Sequence, residues 1–189
     1  GCALFLPNWL PLAAALPVLL WICGYSLAKR FTSLVHLWLG TALALSPICA
    51  WVALRGEQVI ASAGDLLPAV GLAVAIACWV AGFDIIYACQ DADFDRQHGL
   101  HSLPARLGIV GALRLAAGLH VLMLAVLALL PWLFPQLSLG WLYTGAWLVV
   151  GILVVRQHAI IRPAVDGELE LARVNEAFFH INAIISFFL

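Results

Sequence analysis

Long apolar stretches alternate with short polar ones along this chain of 189 residues. An α-helix of ~20 apolar residues crosses the hydrocarbon core of a membrane, and in lipid it satisfies its own backbone hydrogen bonds. The pattern predicts six such spans, at residues 4–25, 33–54, 66–89, 110–130, 139–155 and 174–189. We therefore expect an all-α fold: a polytopic transmembrane helix bundle that forms a single domain over residues 1–189.

The composition supports a membrane protein and excludes an ordinary soluble one. Hydrophobic residues make up 65% of the chain and charged residues only 10%, whereas soluble domains carry about 25% charged residues. The net charge of −1 and the lack of any basic run give no support for nucleic-acid binding. The partners to expect are membrane lipid and a small-molecule substrate.

The basic residues of the predicted loops lie almost entirely on one side of the membrane. Alternating spans place loops one, three and five together, and only Arg55 falls on the opposite side. The residues on the richer side, loop flanks included, are Lys29, Arg30, Arg96, Arg106, Arg114, Arg156, Arg162 and Arg173. An excess of lysine and arginine marks the cytoplasmic side of multi-pass proteins. We therefore predict a multi-pass protein of the cell (inner) membrane whose basic face, and any active site there, meets the cytoplasm.

A cluster of carboxylates follows the third predicted span on the same side. Asp91 and Asp95 follow Asp84 by seven and eleven residues, so all three would share one face of a continuous helix. Carboxylates one helical turn apart repel each other, and a divalent cation relieves that repulsion. Mg²⁺ is usually held by one or two carboxylates, with water and substrate phosphates completing its oxygen shell. The spacing favours a metal site at Asp91 and Asp95; the alternative is a charged boundary loop without a ligand.

Basic side chains on the same face favour a phosphorylated substrate. Lys29 and Arg30 could hold phosphate oxygens opposite the carboxylates, because ammonium and guanidinium groups both bind them. The charges open onto a helix bundle with an apolar interior, which suits a substrate with a diphosphate head and a hydrocarbon tail. Cations that neutralise a diphosphate make it a better leaving group. The residues alone thus predict a membrane enzyme that acts on prenyl diphosphates.

Two segments resemble motifs of one enzyme family. The segment FDIIYACQDADFDRQHGLHSLPARLG, residues 83–108, resembles the second aspartate-rich motif of the UbiA superfamily of intramembrane aromatic prenyltransferases. The segment YSLAKRFTSLVHLWLG, residues 25–40, resembles that family's Tyr-x-x-x-Lys-Arg-x-Thr segment, in the same order and at a fitting separation. The sequence is most similar to the 4-hydroxybenzoate polyprenyltransferase-like branch, which includes enzymes of ubiquinone synthesis and of the futalosine route to menaquinone.

This resemblance implies a fold, a reaction and catalytic residues. The fold would have nine transmembrane helices around a central cavity, with two aspartate-rich motifs facing the cytoplasm. Asp91 and Asp95 would bind Mg²⁺ that bridges the diphosphate, and Asp84 would support metal or substrate binding nearby. Polyprenyl diphosphate would ionise to an allylic cation, which an aromatic acceptor such as 4-hydroxybenzoate attacks before it loses a proton. The product would enter ubiquinone or menaquinone biosynthesis.

The resemblance also implies substrate contacts for Lys29 and Arg30 with the diphosphate, and places Tyr25 in the cavity wall. Three more polar residues have two interpretations each, and a fourth has one favoured interpretation. Arg96 could contact phosphate or only pair with the adjacent Asp95, and Arg106 could bind the carboxylate of the acceptor or cap a helix end. His36 could contact the aromatic substrate or make an interfacial hydrogen bond. For His120 a polar contact between helices is favoured.

The first aspartate-rich motif of the family, of the type Asn-x-x-x-Asp-x-x-x-Asp, does not occur in this sequence. The early candidate Asn8 has no aspartate after it at that spacing. We expect further N-terminal helices of the same protein to carry this motif and to complete the site. The 189 residues alone are then expected to be inactive.

Two other classes of function remain open from the residues. In a cation-coupled membrane transporter the carboxylates would form an ion site, which favours positions near the middle of the spans rather than at one end. In a non-catalytic membrane subunit the acidic cluster would dock a partner. A Mg²⁺-dependent gain in thermal stability with a prenyl diphosphate would separate the transferase from both.

Overall fold

The computed structural model describes residues 2–161 and 174–188, and within these ranges it is helical without any β-strand. Its α-helices are α1 Leu10–Ala28, α2 Val35–Ala61, α3 Leu67–Ala88, α4 Ala92–Gln97, α5 Leu103–Leu133, α6 Trp141–Ile160 and α7 Asn182–Phe188. A π-helical segment, Glu176–Ile181, leads into α7. The predicted all-α fold is confirmed.

Five helical stretches are long and apolar enough to cross a membrane, and they correspond to the first five predicted spans. The predicted sixth span coincides with a shorter apolar helix, Phe178–Phe188. At a rise of 1.5 Å per residue this helix extends about 16 Å, roughly half of the hydrocarbon thickness. The protein is therefore a multi-pass membrane protein with five full-length candidate spans in its described part. The predicted loop residues Arg162 and Arg173 lie outside the described residues.

Local capping explains where the helices begin. The first predicted span began too early, because Cys2–Phe5 form a separate 3₁₀ turn and α1 starts at Leu10. The side chain of Asn8 accepts a hydrogen bond from the Leu10 N–H at 3.2 Å. Proline occupies the first turn of α1, α3 and α5, where its missing N–H costs nothing. The fourth predicted span, by contrast, began too late, since α5 starts at Leu103 and continues across a break at Gly108.

The centre of the bundle is α3, which packs between α2 and α5 through small residues. A Cβ atom on Gly40 of α2 would collide with the backbone carbonyl of Ala77 in α3. On the other side Ala112 and Ala116 of α5 are fully buried. Close approach of backbones at small residues is the main packing device of helices in lipid, where burial of apolar surface drives little.

His120 makes the polar contact between helices that the sequence favours. It lies fully buried in α5, and its Nδ1 is 2.8 Å from Nε2 of His158 in α6. Its Nε2 is 3.3 Å from the carbonyl oxygen of Trp79 in α3. Hydrogen bonds of this kind fix the relative rotation of three helices in an otherwise apolar interior.

The two ends of the bundle have different polar chemistry. One end carries a two-point ion pair in which Arg55 donates to both carboxylate oxygens of Asp65, with Nε–Oδ2 at 2.9 Å and Nη2–Oδ1 at 2.5 Å. Trp51 Nε1 donates to the same carboxylate at 3.0 Å. The opposite end, where α1 and α3 finish and α2 and α5 begin, holds the predicted site residues. We call this the acidic end; its cytoplasmic orientation stays a prediction.

Candidate active site

The acidic motif is divided by a break in the helix. α3 stops at Ala88, residues Cys89–Asp91 form a 3₁₀ turn, and α4 begins at Ala92. The prediction that Asp84, Asp91 and Asp95 share a face of one continuous helix is therefore wrong. A 3₁₀ turn winds about 120° per residue instead of 100°, so it rotates the later residues relative to α3. Asp91 is exposed, whereas Asp95 is completely buried.

Asp95 is a buried carboxylate beside a single ammonium group. Lys29 Nζ lies 2.8 Å from Asp95 Oδ1, and the lysine side chain is 34% exposed. This is an ion-pair distance, yet within residues 2–161 and 174–188 neither oxygen of Asp95 has a partner that meets the angular requirements of a hydrogen bond. Burying a carboxylate is costly unless its lone pairs are satisfied. The Asp95 oxygens are thus available to a cation or a hydrogen-bond donor.

Gly99 determines the path of the chain after Asp95. Its φ of +64° is a left-handed conformation that glycine adopts without a steric penalty. The Leu100 N–H donates to the carbonyl of Asp95 at 2.8 Å, and the Gly99 N–H donates to the carbonyl of Arg96 at 3.4 Å. These two bonds form a Schellman motif that closes α4. The motif turns residues 99–102 back toward the end of α1.

The end of α1 is tied to this turn by its main chain as well as by its side chain. The His101 N–H donates to the carbonyl oxygen of Lys29 at 2.9 Å. Lys29 therefore contacts Asp95 through its ammonium group and His101 through its backbone. The two contacts hold α1, α4 and the start of α5 in one arrangement.

A cleft of about 340 Å³ opens between these elements. Its polar lining comprises Ser33, Asp95, Arg96, His101, Ser102 and Arg106. The Ser102 side chain caps α5 by accepting from the Ala105 N–H at 3.3 Å, and Arg106 Nη1 donates to Ser33 Oγ at 3.4 Å. The cleft combines two guanidinium groups with the buried carboxylate. Such a set can hold an anion and a cation side by side.

The structure corrects one interpretation of the arginines and places both side chains in the cleft lining. Arg96 pairs with Asp93 at 2.8 Å and not with the adjacent Asp95. Both partners are substantially exposed, at 49% and 82%, and exposed pairs of this kind contribute little to stability. Arg106 lies near the start of α5, two residues before the break at Gly108, and its side chain contacts Ser33. Both guanidinium groups remain available to a ligand in the cleft.

Asp84 lies on the last turns of α3 and is held by His36 of α2. The imidazole Nδ1 is 2.6 Å from Asp84 Oδ2, and the Leu103 N–H donates to Nε2 at 3.4 Å. Of the two possibilities for His36, the structure thus shows a hydrogen bond. Tyr25, half-buried on α1, is close enough to Asp84 for an electrostatic interaction.

The structure brings together only part of the predicted set. Asp95, Arg96 and Arg106 line the cleft, and Lys29 contacts Asp95 from its side. The lining does not include Asp84, Asp91, Tyr25 or Arg30. Arg30 is exposed in the turn that follows α1.

The residues fit a hard cation incompletely. Among the described residues no group of three or more histidine, cysteine, aspartate and glutamate side chains could hold a metal ion. The two buried oxygens of Asp95 are suitable ligands for Mg²⁺, and Asp91 lies just before α4. Asp91 and Asp95 can therefore supply only part of an oxygen shell, which phosphates, water or other residues must complete.

The sequence interpretation missed two serines of the cleft. Ser102 is fully buried and Ser33 nearly so. The order Ser102-Leu103-Pro104 is an N-cap pattern, because a serine followed within two residues by proline commonly begins a helix. Ser33 carries no such local signal, since its contact with Arg106 spans 73 residues.

The chain is similar in sequence to one protein family and to several of its members. The sequence pattern of the UbiA prenyltransferase family matches residues 1–182. The polyprenyl transferase atnF of Arthrinium sp is 41% identical over 105 residues, which are 54% of this chain and 31% of that relative. The 4-hydroxybenzoate octaprenyltransferase of Vibrio cholerae is 34% identical over 143 residues, which are 72% of this chain and 44% of that relative.

A solved structure shows the same similarity in three dimensions. The apo structure of a UbiA homologue from Aeropyrum pernix K1 has a TM-score of 0.75 and 32% sequence identity, covering 90% of this chain and 58% of that protein. The chain spans between 31% and 58% of the lengths of these three proteins.

Proposed function

The chain belongs to the UbiA prenyltransferase family, and from this premise we propose that the full-length protein transfers a polyprenyl group from a polyprenyl diphosphate to an aromatic acceptor. The acceptor is 4-hydroxybenzoate or a similar phenol, as in the name of the Vibrio cholerae relative. The product serves ubiquinone or menaquinone biosynthesis. The enzyme acts in the cell (inner) membrane, with its site facing the cytoplasm.

The observation that carries this proposal is the charge arrangement at the acidic end. Asp95 is a fully buried carboxylate whose oxygens make no hydrogen bond to residues 2–161 and 174–188, and it lies beside the ammonium of Lys29 and the guanidinium groups of Arg96 and Arg106. Such a site pairs a cation-binding oxygen donor with several anion-binding groups. A metal-bound diphosphate has both charges, and its hydrocarbon tail suits the surrounding helices.

The chemistry that these residues support is ionisation of the donor. Lys29, Arg30 and Arg96 would bind diphosphate oxygens and stabilise the charge that develops as the allylic C–O bond breaks. The aromatic ring then attacks the allylic carbon, a C–C bond forms, and the ring loses a proton. Mg²⁺, held in part by Asp91 and Asp95, would supply Lewis-acid neutralisation of the leaving diphosphate.

The test is an assay of the full-length protein in membranes. We would incubate it with geranyl diphosphate, Mg²⁺ and 4-hydroxybenzoate and measure prenylated product by mass spectrometry. Product is expected in the wild type and is expected to disappear with EDTA and in Asp91→Ala. The matched control is Asp93→Ala, which removes an 82% exposed carboxylate of the same motif whose partner among the described residues is Arg96.

The outcomes separate the three classes of function. If no product forms but geranyl diphosphate stabilises the protein thermally in the presence of Mg²⁺, the donor site is supported. Other aromatic acceptors would then be assayed. Neither product nor stabilisation would contradict the proposal and favour a cation-coupled transporter or a non-catalytic subunit. Equal loss in Asp93→Ala and Asp91→Ala would show that the motif acts through its overall charge and not through particular ligands.

A further inference from the structure

One imidazole connects three helices at the acidic end. His36 of α2 is 2% exposed; it contacts Asp84 of α3 through Nδ1 and the first backbone N–H of α5, at Leu103, through Nε2. The contacts connect residues 48 and 67 positions apart in the sequence. A buried histidine that uses both ring nitrogens is held in one orientation, and it holds its partners in turn.

The two hydrogen-bond partners of the ring determine which nitrogen carries the proton of the neutral imidazole. A backbone N–H can only donate, so Nε2 of His36 must present its lone pair to Leu103. The proton of the neutral ring is then on Nδ1, and it is donated to Asp84 Oδ2 at 2.6 Å. Asp84 accepts this bond as a carboxylate. Its other oxygen, Oδ1, makes no hydrogen bond to any described residue, and the side chain is 16% exposed.

We propose that His36 is a positioning residue for prenyl transfer: it fixes Asp84 as an oriented carboxylate with one oxygen free for the reacting groups. This inference rests on the proposed function. The imidazole itself touches no substrate, because it is almost completely buried behind Asp84. The same ring accepts a hydrogen bond from the Leu103 N–H at the start of α5, next to Ser102 of the cleft.

Three variants of the full-length protein test this role. His36→Gln keeps both interactions, because its amide N–H can donate to Asp84 while its amide oxygen accepts from Leu103. His36→Leu removes both and keeps an apolar side chain of similar volume. Asp84→Asn removes the charge that His36 is proposed to orient. The matched control is His98→Gln, an exposed histidine of the same end whose side chain, within the part of the chain that the structure describes, contacts the Phe94 carbonyl and ring.

The expected kinetic result is a loss of kcat without a loss of donor affinity. Residues that orient a functional side chain typically change activity on the order of 10- to 100-fold. We expect such a fall in kcat for His36→Leu and Asp84→Asn, less than about threefold change in His36→Gln, and none in His98→Gln. The double variant His36→Leu/Asp84→Asn should be no slower than Asp84→Asn, because His36 acts through Asp84. Independent, multiplicative losses, or a fully active His36→Leu, would overturn the proposal.

A second measurement keeps the inference separate from the proposed function. Nitrogen-15 NMR of histidine-labelled wild-type protein, assigned with His36→Gln, reports the ring tautomer directly. A neutral ring protonated on Nδ1, whose signal changes in Asp84→Asn, is the expected result. A protonated Nε2 or a charged ring at neutral pH would overturn the inference even if prenyl transfer is confirmed. A wild type without activity toward any acceptor would contradict the proposed function, and the NMR result alone would then decide whether His36 orients Asp84.

Discussion

Lys29 Nζ lies 2.8 Å from Oδ1 of Asp95, a carboxylate with no exposed surface. The contact joins the end of α1 to α4 across 66 residues. Before any substrate is present, the ammonium group and this carboxylate neutralise each other. A diphosphate that binds Lys29, or a cation that binds Asp95, must therefore compete with this pair, so binding of the two is expected to be cooperative.

The first prediction concerns the stability of this pair. Lys29→Met leaves the buried carboxylate uncompensated and should destabilise the full-length protein by about 1–3 kcal/mol, less than for a fully buried pair because the lysine is partly exposed. Adding Asp95→Asn should recover most of the loss. Thermal unfolding in detergent measures both, and simple additivity of the single effects would show that the pair contributes no coupling energy.

The second prediction compares two glycines that differ in backbone conformation but both have room for a Cβ atom. A Cβ atom would meet nothing within 4 Å at Gly99 or at Gly118. Only Gly99 has a positive φ, so Gly99→Ala should cost about 1–2 kcal/mol, whereas Gly118→Ala in α5 should be neutral or stabilising by up to about 1 kcal/mol. Comparing the free energies of unfolding of these two variants isolates the effect of backbone conformation. Equal effects of both substitutions would refute the role of the Schellman motif.

A third prediction tests the contact between α3 and α5. A Cβ atom on Gly82 would overlap the imidazole of His120 and approach the carbonyl oxygen of Ala116 to 3.2 Å. Gly82→Ala should therefore destabilise the bundle by about 1–3 kcal/mol through overpacking. Gly151→Ala on α6, where a Cβ meets nothing within 4 Å, is the control. A Gly82→Ala variant as stable as the wild type would contradict the close approach of α3 and α5 at this position.

The fourth prediction concerns the acceptor. If Arg106 binds its carboxylate, Arg106→Gln should raise KM for 4-hydroxybenzoate about tenfold or more, because a charge-assisted pair is lost. KM for a phenolic acceptor without a carboxylate should stay unchanged. Steady-state kinetics with both acceptors make the comparison within one variant. A parallel rise for both acceptors, or a rise in KM for the prenyl diphosphate alone, would assign Arg106 to the donor.

The order of the helices and most of the candidate residues could be predicted from the sequence. Apolar length and the prolines of the first turns are local properties, and each helix in lipid must satisfy its own backbone. The motifs around Lys29 and Asp95 likewise stand in the sequence as contiguous segments. The last predicted span, residues 174–189, corresponds to the helical residues 174–188, but hydropathy alone does not show that the chain from Glu176 to Ile181 is π-helical.

The tertiary structure decided which of these residues meet. Asp91 ends the 3₁₀ turn before α4 and is exposed, whereas Asp95 lies inside α4 and is buried beside Lys29. The contact of His36 with Asp84 depends on how α2 is rotated against α3, which small residues such as Gly40 determine by allowing the backbones to approach. The sequence by itself thus determined an all-helical membrane bundle and its reactive groups, because hydropathy and helix starts are local. Their pairing depends on helix rotation, which only packing between distant segments sets.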